Sequence, residues 1–110
     1  MADADFKIKR GDTAPPIDAT LEDEVGPIDL TAATSVKAIF KSQGAGTTTF
    51  FATCTVTSAA AGQVRYTWGP TDTATVNVYN LEFEIAWADS TKTTVPTEGY
   101  LVVEVVQDLG

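Results

Sequence analysis

The most regular hydrophobic pattern in the chain runs from Tyr79 to Trp87. Large apolar side chains occupy every second position of this stretch, and the positions between them hold polar or small residues. Because successive side chains of a β-strand point to opposite faces, the alternation puts all of the large apolar groups on one face. Neither Gly nor Pro interrupts the run, as a strand paired on both sides requires. The pattern predicts a central strand whose middle apolar residues are buried, namely Leu81, Phe83 and Ile85.

Shorter alternating stretches flank this strand and predict further strands. Gly, Pro and Asp cluster between them, and these residues favour turns. About eight short strands with a turn every ~8–12 residues are typical of a two-layer antiparallel β-sandwich. No long helical period occurs that would connect the strands of a parallel sheet. The flanking segments are Phe6–Lys9, Ile17–Glu22, Ile28–Leu30, Val36–Lys41, Phe50–Thr57, Gln63–Trp68, Lys92–Val95 and Tyr100–Val106.

Composition limits the domain count and the classes of partner. The chain has 110 residues, 44% of them hydrophobic, which suits a single domain over residues 1–110 with one packed core. Its formal net charge of −8 disfavours nucleic acid as a partner, because phosphate contacts need Lys or Arg. No run approaches the ~18 apolar residues of a membrane span. The first residues carry acid where a signal peptide carries base, so we expect synthesis in the cytoplasm and no membrane partner.

The sequence offers little catalytic chemistry. It contains no His, which is the usual general base and the commonest metal ligand. Its one cysteine, Cys54, stands in phase with Phe50 and Val56, so we expect a buried and unreactive core thiol. No Ser lies in a nucleophile-elbow setting. We therefore predict that the chain is not an enzyme and that it needs no cofactor and no metal.

Three features that contain carboxylates could have a function, but each also has a simpler structural interpretation. One is a group of carboxylates that does not match the spacing of a calcium loop and is typical of a solvated face. Glu82 and Glu84 are a possible pair for glycoside chemistry, but residues two apart on a strand usually form its wet side. The tripeptide Arg10–Asp12 resembles an integrin-binding motif, which would require secretion. The group of carboxylates comprises Asp18, Glu22, Asp23, Glu24 and Asp29.

Ile39 and Phe51 are apolar residues on strand faces that are otherwise polar. Scattered exposed apolar groups of this kind more often indicate a protein contact, although an exposed aromatic ring also stacks on sugars. Open sandwiches have edge strands whose unpaired backbone groups accept another chain. We predict a protein-contact site at Ile39 and Phe51 together with one edge, at Phe6–Ile8 or Ile28–Leu30.

Taken in order, these segments resemble the immunoglobulin-like domain at the N-terminus of phage baseplate upper proteins and related small virion proteins of tailed phages. The sequence departs from that family at Asn77, where Gly is common, and at Asp89-Ser90, which replaces an Asp-Gly turn. No trimerisation extension follows Gly110, which favours a standalone accessory protein. The matching residues are Phe6–Pro15, Leu21, Asp23, Gly26, Ile28–Thr31, Ala33–Thr34, Val36, Gly62–Tyr66, Asp72–Thr73, Tyr79, Glu82, Asp89, Thr94–Pro96 and Gly99–Val105.

The resemblance implies an immunoglobulin-like sandwich and a non-enzymatic structural role in a virion, as a tail, baseplate or head-decoration component. The expected partners are other virion proteins and copies of the chain itself. The alternative from a different class is a carbohydrate- or receptor-binding β-sandwich module that mediates host attachment.

Overall fold

The computed structural model describes residues 4–43, 49–96 and 101–109. These residues form nine strands in two sheets and contain no helix, so none that could span a membrane is found among them. The prediction of an all-β sandwich is confirmed. The strands are β1 (Phe6–Lys9), β2 (Ile17–Thr20), β3 (Ala33–Ser42), β4 (Thr49–Thr53), β5 (Thr55–Ser58), β6 (Gln63–Tyr66), β7 (Asn77–Trp87), β8 (Lys92–Val95) and β9 (Leu101–Val106).

The larger sheet has the order β1-β9-β7-β3-β4, and β8 also pairs with β7. β8 lies beside the second half of β7 and β9 beside its first half, so the two strands share one side of it. The β1–β9 pair is parallel, and every other pair in this sheet is antiparallel. The smaller sheet has the antiparallel order β2-β6-β5.

The predicted central strand is β7, and its longest partner is β3. The two strands form nine residue pairs, from Ala33 opposite Trp87 to Ser42 opposite Tyr79. The predicted burial of the middle of β7 is confirmed. Tyr79 is also buried, whereas Trp87 is half-buried and its indole N–H donates to the Thr93 hydroxyl at 2.9 Å. The buried side chains at the middle of β7 are Leu81, Phe83 and Ile85.

Aromatic side chains join the inner faces of the two sheets. The Phe40 ring of β3 lies with its centroid 5.0 Å from that of Tyr66 on β6 and 5.6 Å from that of Trp68. The Tyr66 hydroxyl donates to Asp72, which also accepts the Gly69 N–H at 2.7 Å. Burial and the neighbouring Asp72 carboxylate both raise the pKa of the Tyr66 hydroxyl. The buried hydroxyl therefore stays protonated and holds the turn that follows β6.

The segment predicted as one strand over Phe50–Thr57 is two strands in different sheets. The chain crosses between the sheets at Cys54, so β4 pairs with β3 while β5 pairs with β6. Cys54 is buried as expected. Val56 is 38% exposed, so its predicted place in the core was wrong. It lies opposite the buried Val64, but no described strand continues the sheet beyond β5 and its outer side stays open.

Ile28–Leu30 is not a strand, and the expectation of a sheet edge there was wrong. The Ile28 N–H donates to the Leu21 carbonyl, and the Leu30 N–H donates to the Ala59 carbonyl, both at 2.8 Å. A β-carbon at Gly62 would lie 2.7 Å from the Ile28 carbonyl oxygen, and the φ of Gly62 is 70°. Glycine is therefore required where the connections before β3 and β6 touch.

We expect the change Phe83→Ala to lower the free energy of unfolding by ~3–5 kcal/mol, because it leaves a cavity in the most buried strand. The matched control is Phe51→Ala, which removes the same group from a ring that is 63% exposed. That change should cost less than about 1 kcal/mol. Denaturant unfolding of both variants measures the difference, and equal losses would contradict the assignment of inner and outer faces.

Cys54 should react slowly with thiol reagents in the native protein. Burial raises the pKa of the Cys54 thiol from 9.0 to about 11. At pH 8 the native thiolate fraction is then about a hundredfold smaller than in the unfolded chain, and only the thiolate attacks. The modification rates in buffer and in denaturant test this directly; comparable rates would show that the thiol is open to solvent.

Candidate functional site

The two residues predicted for a protein contact are cross-strand neighbours. Ile39 of β3 lies directly opposite Phe51 of β4 on the outer face of the larger sheet. The residues on either side of Ile39, Ala38 and Phe40, face inward and are fully buried. Ile39 is half-buried, while Phe51 is 63% exposed, more than any other aromatic side chain of the described residues. The structure therefore brings the predicted residues together into one small apolar surface.

Lys37 adds a positive charge to this surface. Its Nζ atom lies 5.2 Å from the centroid of the Phe51 ring, within the range of a cation–π contact. Lys37 also lies opposite Thr53, and the other end of β4 has Thr49 opposite Lys41. We call this surface the Phe51 patch and define it by its residues: Lys37, Ile39, Thr49, Phe51 and Thr53.

Carboxylates border the patch on the side of β7. Glu82 lies opposite Ile39, and Glu84 lies opposite Lys37. The Lys92 Nζ atom of β8 is 3.9 Å from Glu84 Oε1; the Lys92 side chain is exposed and that of Glu84 is partly buried. The two carboxylates thus lie on the wet side of the central strand, as expected, and give Ile39 a polar border on the side of β7.

The edges of the sheets are only partly those predicted. β1 forms one edge of the larger sheet, in agreement with the prediction for Phe6–Ile8. Sequence reasoning missed the edges formed by β4 in the larger sheet and by β5 in the smaller one. Both belong to the continuous segment Thr49–Ser58, which contains no charged residue. The out-of-phase Phe51 was the one sequence signal for this side of the molecule.

The acidic group does not form a metal site in the described residues, where no set of three or more potential metal ligands comes together. Asp18 Oδ1 accepts from Arg65 Nε at 2.7 Å. Asp23 accepts the N–H groups of Val25 and Gly26 within its own turn. Asp18 therefore belongs to a surface ion pair, and Asp23 holds its own turn.

The Arg10–Asp12 tripeptide is held in the turn that follows β1. The Arg10 guanidinium donates to Asp108 Oδ1 at 2.9 Å, and the Asp12 carbonyl accepts the Thr73 hydroxyl at 2.7 Å. Both contacts tie the tripeptide to distant parts of the chain. It is thus built into the fold.

A shallow cleft of about 400 Å³ lies on the outer face of the smaller sheet, on the opposite layer from the Phe51 patch. Its polar lining includes Asp18, Gln63 and Arg65, and Asp18 and Arg65 are already paired with each other. No aromatic side chain lines it. It therefore offers hydrogen-bonding groups without a stacking platform.

Comparison with known proteins found no relative of this chain. No protein-family model, curated protein or solved structure matches the chain. The features of the chain that bear on its function are therefore the Phe51 patch, the sheet edges and the resemblance of the sequence motifs.

Two matched aspartates at one end of the sandwich should make stability depend on pH. Asp29 accepts the side-chain hydroxyl and the backbone N–H of Thr31, and Asp89 does the same with Thr91. These hydrogen bonds lower the pKa of both carboxyls below the ordinary value. Because the unfolded carboxyls have the higher pKa, the stabilisation is present above pH ~4 and is lost as the pH falls through the native values.

The variant D29N/D89N keeps the accepting oxygens and removes the charges. We expect the unfolding free energy of the wild type to fall relative to this variant between pH 6 and pH 2.5. The control E24Q removes an exposed carboxylate from the connection that also contains Asp29, and it accounts for the general loss of negative charge. A constant difference between D29N/D89N and the wild type across this pH range would contradict the role of the two turns.

Proposed function

We propose that this chain is a non-enzymatic structural accessory protein of a tailed-phage virion, a tail, baseplate or head-decoration component that attaches by protein–protein docking. The observation that carries the proposal is the Phe51 patch, where Phe51 and Ile39 form an apolar pair whose immediate neighbours on the outer face are polar. An aromatic anchor beside a cation and ringed by polar groups is the usual anatomy of a protein contact.

The strand order supports the immunoglobulin-like part of the proposal. The smaller sheet, β2-β6-β5, has the order of the B, E and D strands of an immunoglobulin domain. The run β9-β7-β3 has the order of the G, F and C strands, and β4 follows as a C′ strand does. The chain differs from antibody domains in having one cysteine, which excludes an internal bridge between the sheets.

One departure from the phage family motif also has a structural counterpart. Ser90 stands where the family has the Gly of an Asp-Gly turn, and its φ is 73°. That left-handed conformation is the one for which glycine is preferred. The turn geometry thus supports the match of motif and chain at this position although the residue differs.

The proposal includes the partners of the chain and its location. The partners are other virion proteins and copies of the chain, and the location is the virion, after synthesis in the host cytoplasm. With a net charge of −8, contact through the Phe51 patch avoids most of the acidic surface. Docking of this kind requires no cofactor and no metal.

The alternative is a carbohydrate- or receptor-binding module for host attachment, and the exposed Phe51 ring is the observation that favours it. Lys37 Nζ lies over that ring, so one of its faces is already occupied. The polar side chains suited to sugar hydroxyls line the cleft on the other sheet, far from an aromatic platform. The arrangement therefore favours docking to protein over stacking on sugar.

The change Phe51→Asp tests the docking proposal. A charge in the centre of an apolar contact typically costs a few kcal/mol, so we expect at least a tenfold loss of the chain from purified particles. The fold should be retained, because the ring faces outward. The matched control is Val25→Asp, which puts the same charge at a residue that is 96% exposed and lies in the connection between β2 and β3, outside the patch.

Quantitative co-sedimentation with assembled particles, together with circular dichroism of each purified variant, gives the result. Normal occupancy by a folded F51D protein would reject the contact. Binding of the purified wild type to host cells or their polysaccharides, abolished by F51D, would favour the attachment module instead.

A further inference from the structure

The edge strands on the two sides of the sandwich differ in charge. On one side the edges are β1, which carries Lys7 and Lys9, the short β8, which carries Lys92, and β2, which carries Asp18. Charged side chains on an edge strand discourage pairing with another chain. On the other side the edges are β4 and β5, joined by Cys54 alone, and neither strand has a charged residue, a Pro or a Gly. We call Thr49–Ser58 the uncharged edge.

Among the described strands, the exposed large apolar side chains lie on the uncharged edge, whereas Val25, Val76 and Leu109 lie outside the strands. The uncharged edge holds both Phe51, 63% exposed, and Val56, 38% exposed. On the inner side of β4, the Phe50 ring stacks on the buried Phe40 at 4.6 Å with an interplanar angle of 12° and remains half-exposed. An edge with this composition is a template for a further strand.

The hydrogen-bond pattern shows which backbone groups of β4 face away from β3. The Cys54 N–H donates to the Val36 carbonyl at 2.7 Å, and the β3–β4 register, continued by one residue beyond Lys37 and Thr53, puts these two residues opposite each other. Hydrogen-bonded and non-hydrogen-bonded pairs alternate along an antiparallel ladder. Phe50 and Ala52 therefore direct their N–H and C=O groups to β3. The groups directed to the open edge are those of Thr49, Phe51 and Thr53.

The hydrogen bonds on the other side of β3, toward β7, agree with this pattern. The Gln43 N–H donates to the Val78 carbonyl at 2.9 Å, so odd-numbered residues of β3 bond to β7 and even-numbered residues bond to β4. Two independent hydrogen bonds thus give the same alternation. Three residues of β4, two apart from each other, offer six backbone groups to a partner strand.

The β4 sequence is close to its own complement in antiparallel order. It reads Thr-Phe-Phe-Ala-Thr, and reversal about Phe51 sets Thr49 opposite Thr53 and the large Phe50 opposite the small Ala52. In this register Phe51 meets its own copy as a hydrogen-bonded pair, and all six outward groups find partners. Opposed threonines and aromatic pairs are favourable cross-strand neighbours.

We propose that two copies of this chain pair antiparallel along β4 about a two-fold axis at Phe51, which makes the larger sheet continuous across a dimer. Charge selects this partner: each chain has a net charge of −8, and the uncharged edge is the side on which two copies meet with no like charges directly opposed. A two-fold contact also closes on itself, whereas pairing of β4 with β1 of the next copy would build an open filament. Lys7 and Lys9 oppose that filament.

This dimer goes beyond attachment to a virion and does not depend on it. The wild-type protein is expected to form a species of twice the 11.6 kDa monomer mass in sedimentation equilibrium, in a concentration-dependent way. The register is tested with two double variants. T49E/T53E sets carboxylate against carboxylate at both two-fold-related pairs, and T49K/T53E sets ammonium against carboxylate.

Folding and dimerisation rank the two variants in opposite order, which separates their effects. Within one chain Thr49 lies opposite Lys41 and Thr53 lies opposite Lys37, so T49E/T53E gains two favourable neighbours. T49K/T53E gains one favourable and one unfavourable neighbour. T49E/T53E should therefore have the higher melting temperature, while T49K/T53E should have the lower dimer Kd.

At about 0.15 M salt, where charges more than ~8 Å apart are screened, we expect the dimer Kd of T49E/T53E to exceed that of T49K/T53E by about tenfold or more. A wild-type protein that stays monomeric at all concentrations would overturn the proposal, and so would growth into filaments. Equal Kd values for the two double variants would overturn the register and with it the two-fold pairing at Phe51.

Discussion

The pairing of β3 with β7 is the constraint on which the rest of the molecule depends. Its nine residue pairs put Val36, Ala38 and Phe40 on the same buried face of the sheet as the large apolar residues of the central strand. A slip by one residue would turn these side chains to solvent and bring Lys37 and Ile39 into the core. The register thus decides at once which side chains form the core and which form the Phe51 patch.

The crossing at Cys54 turns this constraint into an exposed surface. Because β4 completes one sheet and β5 begins an edge of the other, a single segment forms both edges on one side of the sandwich. A small apolar residue suits the crossing, since it is buried between the layers while the strands on either side are half-open. The exposure of Phe51 and Val56 follows from this path.

Alternation predicted the strands well where one face is buried and the other is wet, as in β7, and it placed Ile39 and Phe51 outward. It failed at Cys54, because the inward phase continues unchanged from one sheet to the next and the period shows no break. It failed at Ile28–Leu30 because the buried Leu30 mimics a strand residue without a ladder. The opposition of Ile39 and Phe51 depends on pairing between strands, which the spacing along one strand does not contain.

The central claim is that β4 is bonded to β3 on one side and offers its other side to a second copy. Amide hydrogen exchange, followed residue by residue, tests both parts at once. The account predicts protected amides at Phe50 and Ala52 at every concentration, and protection at Thr49, Phe51 and Thr53 that rises as the protein is concentrated. Slow exchange at Phe51 in dilute solution, or fast exchange at Phe50 and Ala52, would contradict it.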